Sequence, residues 1–136
     1  MCIDQVCEIC GTHLRTSYCG RAKDMGIQNP VTVKALQLAL SNGEEMGYNE
    51  WDGTHFMTTD RCSTMAYKEA GITNPRQEIS MMEVHDCFSI TELVTCEDLH
   101  ISERGEAWRD FLDGFYNRDG KIPCQVDGGL KCFGHP

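Results

Sequence analysis

Apolar and polar positions along the chain follow two different periods, which predict a mixture of strands and helices. The segment 29–40 (NPVTVKALQLAL) follows a proline turn and begins with β-branched residues, so it predicts a strand. The short apolar run 79–84 (ISMMEV) predicts a second strand, covered on both faces. A third, very short strand is predicted at 124–126 (CQV).

Helical periodicity occupies the stretches between these strands. Residues 54–70 place apolar side chains three or four positions apart, and Gly71 predicts the stop. Ser89 and Glu92 form an S-x-x-E capping box, which predicts a helix from about Ile90.

A further helix is predicted over 102–115, because four large apolar residues recur there at i, i+3, i+4 and i+7. These residues are Trp108, Phe111, Leu112 and Phe115. The polar, glycine-containing stretch 41–53 predicts a long loop. The resulting order of strand, helix, strand, helix, helix and strand predicts a layered α/β fold.

Composition and charge narrow the function classes. The 136 residues suffice for one domain with a modest core. The net charge of −9 argues against a nucleic-acid partner and against binding to an anionic membrane. No apolar stretch is long enough to span a bilayer, and residues 1–20 do not have the pattern of a secretion signal. Nine cysteines without that signal predict reduced thiols and a cytoplasmic location.

The string MEVHDCFSITELVTCEDL at 82–99 contains the first candidate chemistry. His85, Asp86 and Cys87 follow the predicted strand and precede the predicted helix, which is a usual place for functional residues in α/β folds. The partial positive charge of a helix start favours negative charge that develops nearby. An imidazole at this corner can donate a hydrogen bond to an oxyanion, directly or through water.

The second candidate string is DGGLKCFGHP at 127–136, in which Gly134 precedes His135. Its glycines let the backbone approach a ligand closely, and the proline after His135 restricts that residue to extended conformations. Two histidines at the ends of neighbouring elements can serve as a base and an oxyanion donor. The plainer interpretations stay open, namely structural histidines and, for Cys87 and Cys132, small buried apolar side chains.

The strings VHDCFSITELVTCEDL, SERGEAW and DGGLKCFGHP resemble the C-terminal half of thiolases. The HDCF string at 85–88 is similar to the one in the sterol-carrier-protein type and its bacterial and archaeal relatives, where other thiolases have NEAF. YNEWDG at 48–53 is similar to a GNEWDG string of the family. Residues 26–136 are therefore predicted to be a partial thiolase C-terminal domain, and residues 1–25 a cysteine-rich leader.

The resemblance implies an acyltransferase of lipid metabolism that condenses two acyl-CoA molecules or cleaves a 3-ketoacyl-CoA. His135 matches the histidine that activates a nucleophilic cysteine, and His85 matches the residue that helps form an oxyanion hole for the thioester enolate. Phe88 and Gly134, in the same two strings, are predicted to contact the substrate. Coenzyme A thioester is the expected substrate, and neither a separate cofactor nor a metal ion is expected at these two strings.

Two catalytic cysteines of the family have no match in this sequence, and Cys87, Cys124 and Cys132 do not occupy their positions. The resemblance thus implies a thiolase-like half-fold, a mixed sheet with helices on its faces that is incomplete at both ends. The chain by itself is expected to be inactive. The implied partners are the missing thiolase half or a second copy, and a zinc-ribbon companion subunit.

Two rival hypotheses remain. The first is a non-catalytic subunit that binds acyl-CoA or serves assembly. The second is a small zinc-binding interaction module, because Cys7 and Cys10 have the spacing of a metal knuckle, with Cys2, His13 and Cys19 nearby. Those partners do not form a second tight pair, and free thiols or a non-native leader explain the stretch as well.

Overall fold

The computed structural model describes residues 21–28, 33–41, 43 and 52–135, and helices dominate these ranges. Five helices are bounded there, and we number them α1 to α5. They are α1 Met57–Ala70, α2 Pro75–Glu78, α3 Ser89–Asp98, α4 Ala107–Leu112 and α5 Gly129–Phe133. Residues 21–24 are also helical. None of the helices in the described ranges has the length and apolar character needed to cross a membrane.

The predicted strands are reduced to one isolated bridge in the part of the chain that the structure describes. Met82 and Cys124 form a parallel β-bridge, with Met82 N–H donating to Pro123 O (3.0 Å) and Gln125 N–H donating to Met82 O (3.2 Å). The run 79–84 buries Met82 and exposes its neighbours, so the prediction of a strand covered on both faces is wrong. Regular strands need pairing along their length, and within the described ranges only this bridge supplies it.

The segment 33–40 has no strand pairing among the described residues, although its burial alternates with a period of two. One face packs toward α1, where the Cys62 thiol donates to Gln37 O (3.3 Å). The opposite face carries Leu36, Leu38 and Leu40, which are 57%, 79% and 83% exposed. The period of a strand is therefore present without a neighbouring strand.

Helix α1 begins three residues later than predicted and ends where predicted. Gly71 follows Ala70 in the left-handed conformation (φ 74°), and its N–H is directed at Lys68 O and Tyr67 O. This glycine stop is confirmed. At the other end, the Phe56 N–H donates to Asp98 Oδ2 (2.8 Å), so the last residue of α3 ties down the start of α1.

Helix α3 begins at Ser89, one residue before the predicted start, but without the predicted capping box. Phe88 is the N-cap and no side chain caps the helix. The Glu92 carboxylate instead accepts a hydrogen bond from the Cys124 thiol (3.7 Å). Burial raises the pKa of Glu92. The contact of Glu92 with Cys124 thus replaces the predicted capping contact of Glu92 with Ser89.

Helix α4 is shorter than the predicted helix 102–115. Gly105 and Gly114 stand on either side of it with φ of 77° and 76°, a conformation that interrupts a right-handed helix. As a result the predicted apolar stripe splits. Phe111 and Phe115 pack against the core, whereas Trp108 and Leu112 are 48% and 78% exposed.

The core lies between α3, α4 and the bridge. Its buried apolar residues are Met82, Cys96, Ile101, Ala107, Tyr116 and Ile122. A polar network closes one side, because Arg76 binds Asp110 through two hydrogen bonds (2.8 Å each) and the Ser102 hydroxyl donates to the same carboxylate (2.5 Å). The Met82–Cys124 bridge thus rests on a packed base, and the chain leaves it toward the two histidine strings.

Candidate active site

The loops that carry the two histidine strings leave the core side by side. Beyond the Met82–Cys124 bridge, the Gln125 side chain continues the pairing by donating to Val84 O (2.6 Å) and accepting from Val84 N–H (3.1 Å). Parallel segments end at the same edge. The chain that follows Val84 and the chain that follows Gln125 therefore emerge together.

Asp86 joins these two loops. Its side chain is only 7% exposed, and Oδ1 accepts a hydrogen bond from the Leu130 N–H at 3.0 Å in the first turn of α5. Gly129 has a φ of 59°, and a Cβ at this position would lie 2.3 Å from Asp86 Oδ2. The close approach of the carboxylate to α5 therefore requires glycine at position 129.

His85 and His135 meet at the surface, next to the hydrogen bond between Asp86 and Leu130. Their ring centroids are 5.1 Å apart with the planes at 82°, and both side chains are exposed. Cys87 is half-buried, and its thiol donates to Thr91 Oγ1 (3.6 Å) in the first turn of α3. The structure thus brings the imidazole of His135, from the second string, together with the imidazole of His85 and the thiol of Cys87, from the first.

The other predicted site residues flank this cluster. Phe88 is 70% exposed at the N-cap of α3, and Gly134 follows α5 with a φ of 91°. Cys132 is exposed, so its interpretation as a small buried residue is wrong. A hydrogen bond with Cys96, together with burial, raises the pKa of the Cys124 thiol. Cys124 is therefore held neutral, which suits a structural thiol and not a nucleophile.

The sequence patterns gave no sign of the positioning roles of Asp86 and Gln125. Asp86 stood in the candidate string, but nothing in the pattern pointed to its bond with α5. Gln125 adopts a left-handed backbone (φ 56°) and mimics a strand with its side chain, for which the sequence has no signal. Residues 1–20 of the predicted leader and most of YNEWDG lie outside the described residues. The boundary at residues 25 and 26 stays a prediction.

Comparisons with known proteins agree on one family. The family model for the thiolase C-terminal domain-like family matches residues 32–136. An acetyl-CoA acetyltransferase of Methanothermobacter thermautotrophicus is 41% identical over 107 residues, which are 79% of this chain and 27% of that protein. The benzoylsuccinyl-CoA thiolase subunit BbsB of Thauera aromatica is 29% identical over 84% of this chain and 28% of its own length.

A solved structure shares the fold. The chain matches part of an Ltp2-ChsH2(DUF35) aldolase with a TM-score of 0.67 and 23% identity, covering 74% of this chain and 26% of that one. The chain therefore spans about a quarter of the length of these relatives. The resemblance predicted from the HDCF and GHP strings is confirmed, and the α/β domain is of the thiolase type. This chain belongs to the thiolase C-terminal domain-like family.

Proposed function

We propose that the chain supplies the oxyanion-hole and base histidines of a thiolase-type acyltransferase, which condenses acyl-CoA molecules or cleaves a 3-ketoacyl-CoA. The observation that carries this proposal is the perpendicular pair of exposed imidazoles, His85 and His135, with centroids 5.1 Å apart. An edge-to-face pair at this separation is in contact, so a substrate would reach both rings from their solvent-exposed side. Rings of this kind can hold and move protons near neutral pH.

His85 acts on the thioester oxygen. Removing a proton next to a thioester carbonyl puts negative charge on that oxygen, and a donor placed there in advance lowers the barrier by several kcal/mol. His85 stands just before α3, whose unpaired N–H groups add partial positive charge on the same side. It donates to the enolate oxygen directly or through water.

His135 acts as the base. It follows Gly134 at the end of α5, and the Asp86 bond to Leu130 fixes that helix relative to His85. From this position the imidazole takes the proton of a nucleophilic thiol, which then carries the acyl group. The nucleophile is supplied by another part of the enzyme, because neither family cysteine position is matched here.

The substrate is a coenzyme A thioester, and no further cofactor takes part in the step. Phe88 offers an exposed aromatic surface at the start of α3, suited to the apolar part of an acyl or pantetheine chain. Gly134 has no side chain and leaves the approach to His135 open. The acidic chain has few groups for the nucleotide phosphates, so we assign their binding to the remainder of the enzyme.

The remainder of a thiolase, or a second copy of this chain, covers the leucine face of segment 33–40. Leu36, Leu38 and Leu40 are exposed in a row with strand periodicity. Such a row is typical of a surface that pairs with another strand or packs against another layer. The mixed sheet predicted from the resemblance would be completed there.

A chimera tests the proposal. Residues 32–136 replace the matching segment of the Methanothermobacter acetyl-CoA acetyltransferase, and CoA-dependent cleavage of a 3-ketoacyl-CoA is followed. We expect an active chimera in which His85→Asn and His135→Asn each lower kcat by about 100-fold to 1,000-fold. His100→Asn is the matched control, because His100 is exposed beside Thr64 and Asp60 and asparagine tolerates its left-handed φ of 54°.

An active chimera whose rate is unchanged by both site substitutions would contradict the proposal. So would robust turnover by the unmodified chain alone, since the proposal places the nucleophile elsewhere.

A further inference from the structure

We propose that His85, Cys87 and His135 form a binding site for a divalent transition-metal ion, with zinc as the best fit. Two ring nitrogens and the Cys87 Sγ, one atom from each residue, lie within 4.8 Å of one another. These are the donor types that zinc prefers. None of these three residues belongs to the rival zinc hypothesis at Cys7 and Cys10.

The geometry needs only a small closure. Zinc bonds of about 2.0–2.3 Å in a tetrahedral arrangement place the ligand atoms about 3.3 to 3.6 Å apart. The present spread exceeds this by about 1 Å, which rotation of two exposed imidazoles can supply. The backbone under the rings is already held by the bond from Leu130 N–H to Asp86.

The donor set also selects the ion. Mg²⁺ and Ca²⁺ require oxygen ligands, whereas two imidazoles and a thiolate suit zinc or cobalt. Cys87 would bind as the thiolate, with its proton released to solvent. The net charge of −9 favours the approach of a cation. Because both imidazoles are exposed, a fourth position remains open for water.

A bound ion would occupy the nitrogens that the proposed function needs for proton transfer, so metal and turnover are mutually exclusive. This consequence rests on the proposed function, whereas the binding itself does not. The site would therefore make the acyltransferase reversibly sensitive to free zinc.

Binding is measured on the full chain with Zn²⁺ alone, after treatment with a chelator, by competition with a chromophoric chelator. We expect Cys87→Ser, His85→Asn and His135→Asn each to remove one equivalent or weaken it by about 100-fold or more, because even the outer partners of metal ligands cost about 10-fold to 100-fold. Cys132→Ser, a nearby exposed thiol, is the matched control. Cys7→Ser should leave this equivalent in place.

Cobalt adds a spectroscopic readout, since its thiolate charge-transfer absorption should appear in the wild type and disappear in Cys87→Ser. Zinc binding that is unchanged in all three site variants, or lost only in Cys7→Ser, would overturn the proposal. If Cys87→Ser misfolds by circular dichroism, the two variants of exposed histidines decide.

The chimera separates the two proposals. Inhibition by Zn²⁺ that a chelator reverses, and that Cys87→Ser abolishes, supports the inhibitory role. Zinc that binds with full turnover would overturn that role and the use of these imidazoles in catalysis, while the metal site itself would stand.

Discussion

Two buried aspartates perform the same task in two regions of the molecule with different results. Asp98 is fully buried, accepts the Phe56 N–H and pairs with Arg104. Asp86 is nearly as buried and accepts the Leu130 N–H. Each carboxylate fastens a segment more than 40 residues away, 42 for Asp98 and 44 for Asp86.

The difference lies in what each carboxylate holds. Around Asp98, the fastened elements are two helices, α1 and α3, which pack against each other. Around Asp86, the fastened elements are the loop before α3 and the short helix α5, and they present His85, Cys87 and His135 to solvent or near it. Hydrogen bonds to buried carboxylates can thus build either a stable base or an exposed reactive corner, and the exposure of the neighbouring side chains tells which.

The largest effect on stability is expected from Asp98→Ala. The substitution leaves the Phe56 N–H without its acceptor, leaves Arg104 with Asp60 alone and opens a void, which should lower the free energy of unfolding by about 3 kcal/mol. Burial raises the pKa of Asp98, so part of this loss is offset by removing a desolvated charge. Urea unfolding followed by circular dichroism measures it, with exposed Asp119→Ala as control. Equal midpoints would show that Asp98 is not a scaffold residue.

Asp86→Ala should cost less stability and more function. We expect a loss of about 1 to 2 kcal/mol in unfolding, but a zinc affinity about 10-fold weaker or more, since the two histidine loops are no longer tied. Gly129→Ala should act in the same direction, because its Cβ would meet the Asp86 carboxylate. The same unfolding and zinc titrations check both. A lower free energy of unfolding with unchanged zinc binding would show that Asp86, like Asp98, only stabilises the fold.

Acid should remove the stability that a third aspartate, Asp110, contributes to the fold. Hydrogen bonds from Arg76 hold the pKa of Asp110 below its ordinary value. A lowered carboxyl pKa stabilises the folded state above the unfolded pKa, and that gain is lost as pH falls through the lower folded pKa. Asp110→Asn should therefore cost about 1 kcal/mol near neutral pH and progressively less below about pH 4.

Urea midpoints of wild type and Asp110→Asn across this pH range provide the measurement. A gap between the two proteins that widens on acidification would contradict the assigned sign.

The smallest effect is expected where the sequence pattern predicted core. Leu112→Ala should change the free energy of unfolding by no more than about 0.5 kcal/mol, because the side chain is 78% exposed. Phe111→Ala is the matched contrast and should cost about 2 kcal/mol, since its ring packs at a tilt against Tyr116 with the centroids 4.6 Å apart. Thermal unfolding of the two variants side by side distinguishes them. A larger loss of unfolding free energy for Leu112→Ala would show that Leu112 is buried, as the apolar pattern predicted.

Sequence signals predicted the helix ends correctly where the end depends only on the conformation of neighbouring residues. Gly71 stops α1 as predicted because only its own backbone conformation is involved. The capping box failed because Glu92 found a tertiary partner in Cys124. The predicted strands failed because a strand depends on pairing, and the described part of the chain supplies a single bridge.

By itself the sequence determined the family and the two histidine strings, because residue identities in a motif are local information. Only the tertiary structure decided that the rings of His85 and His135 pack edge to face, that the Cys87 thiol lies close to both, and that Gly129 lets the Asp86 carboxylate approach α5. Those relations depend on hydrogen bonds and close contacts between distant segments, which leave no period in the sequence.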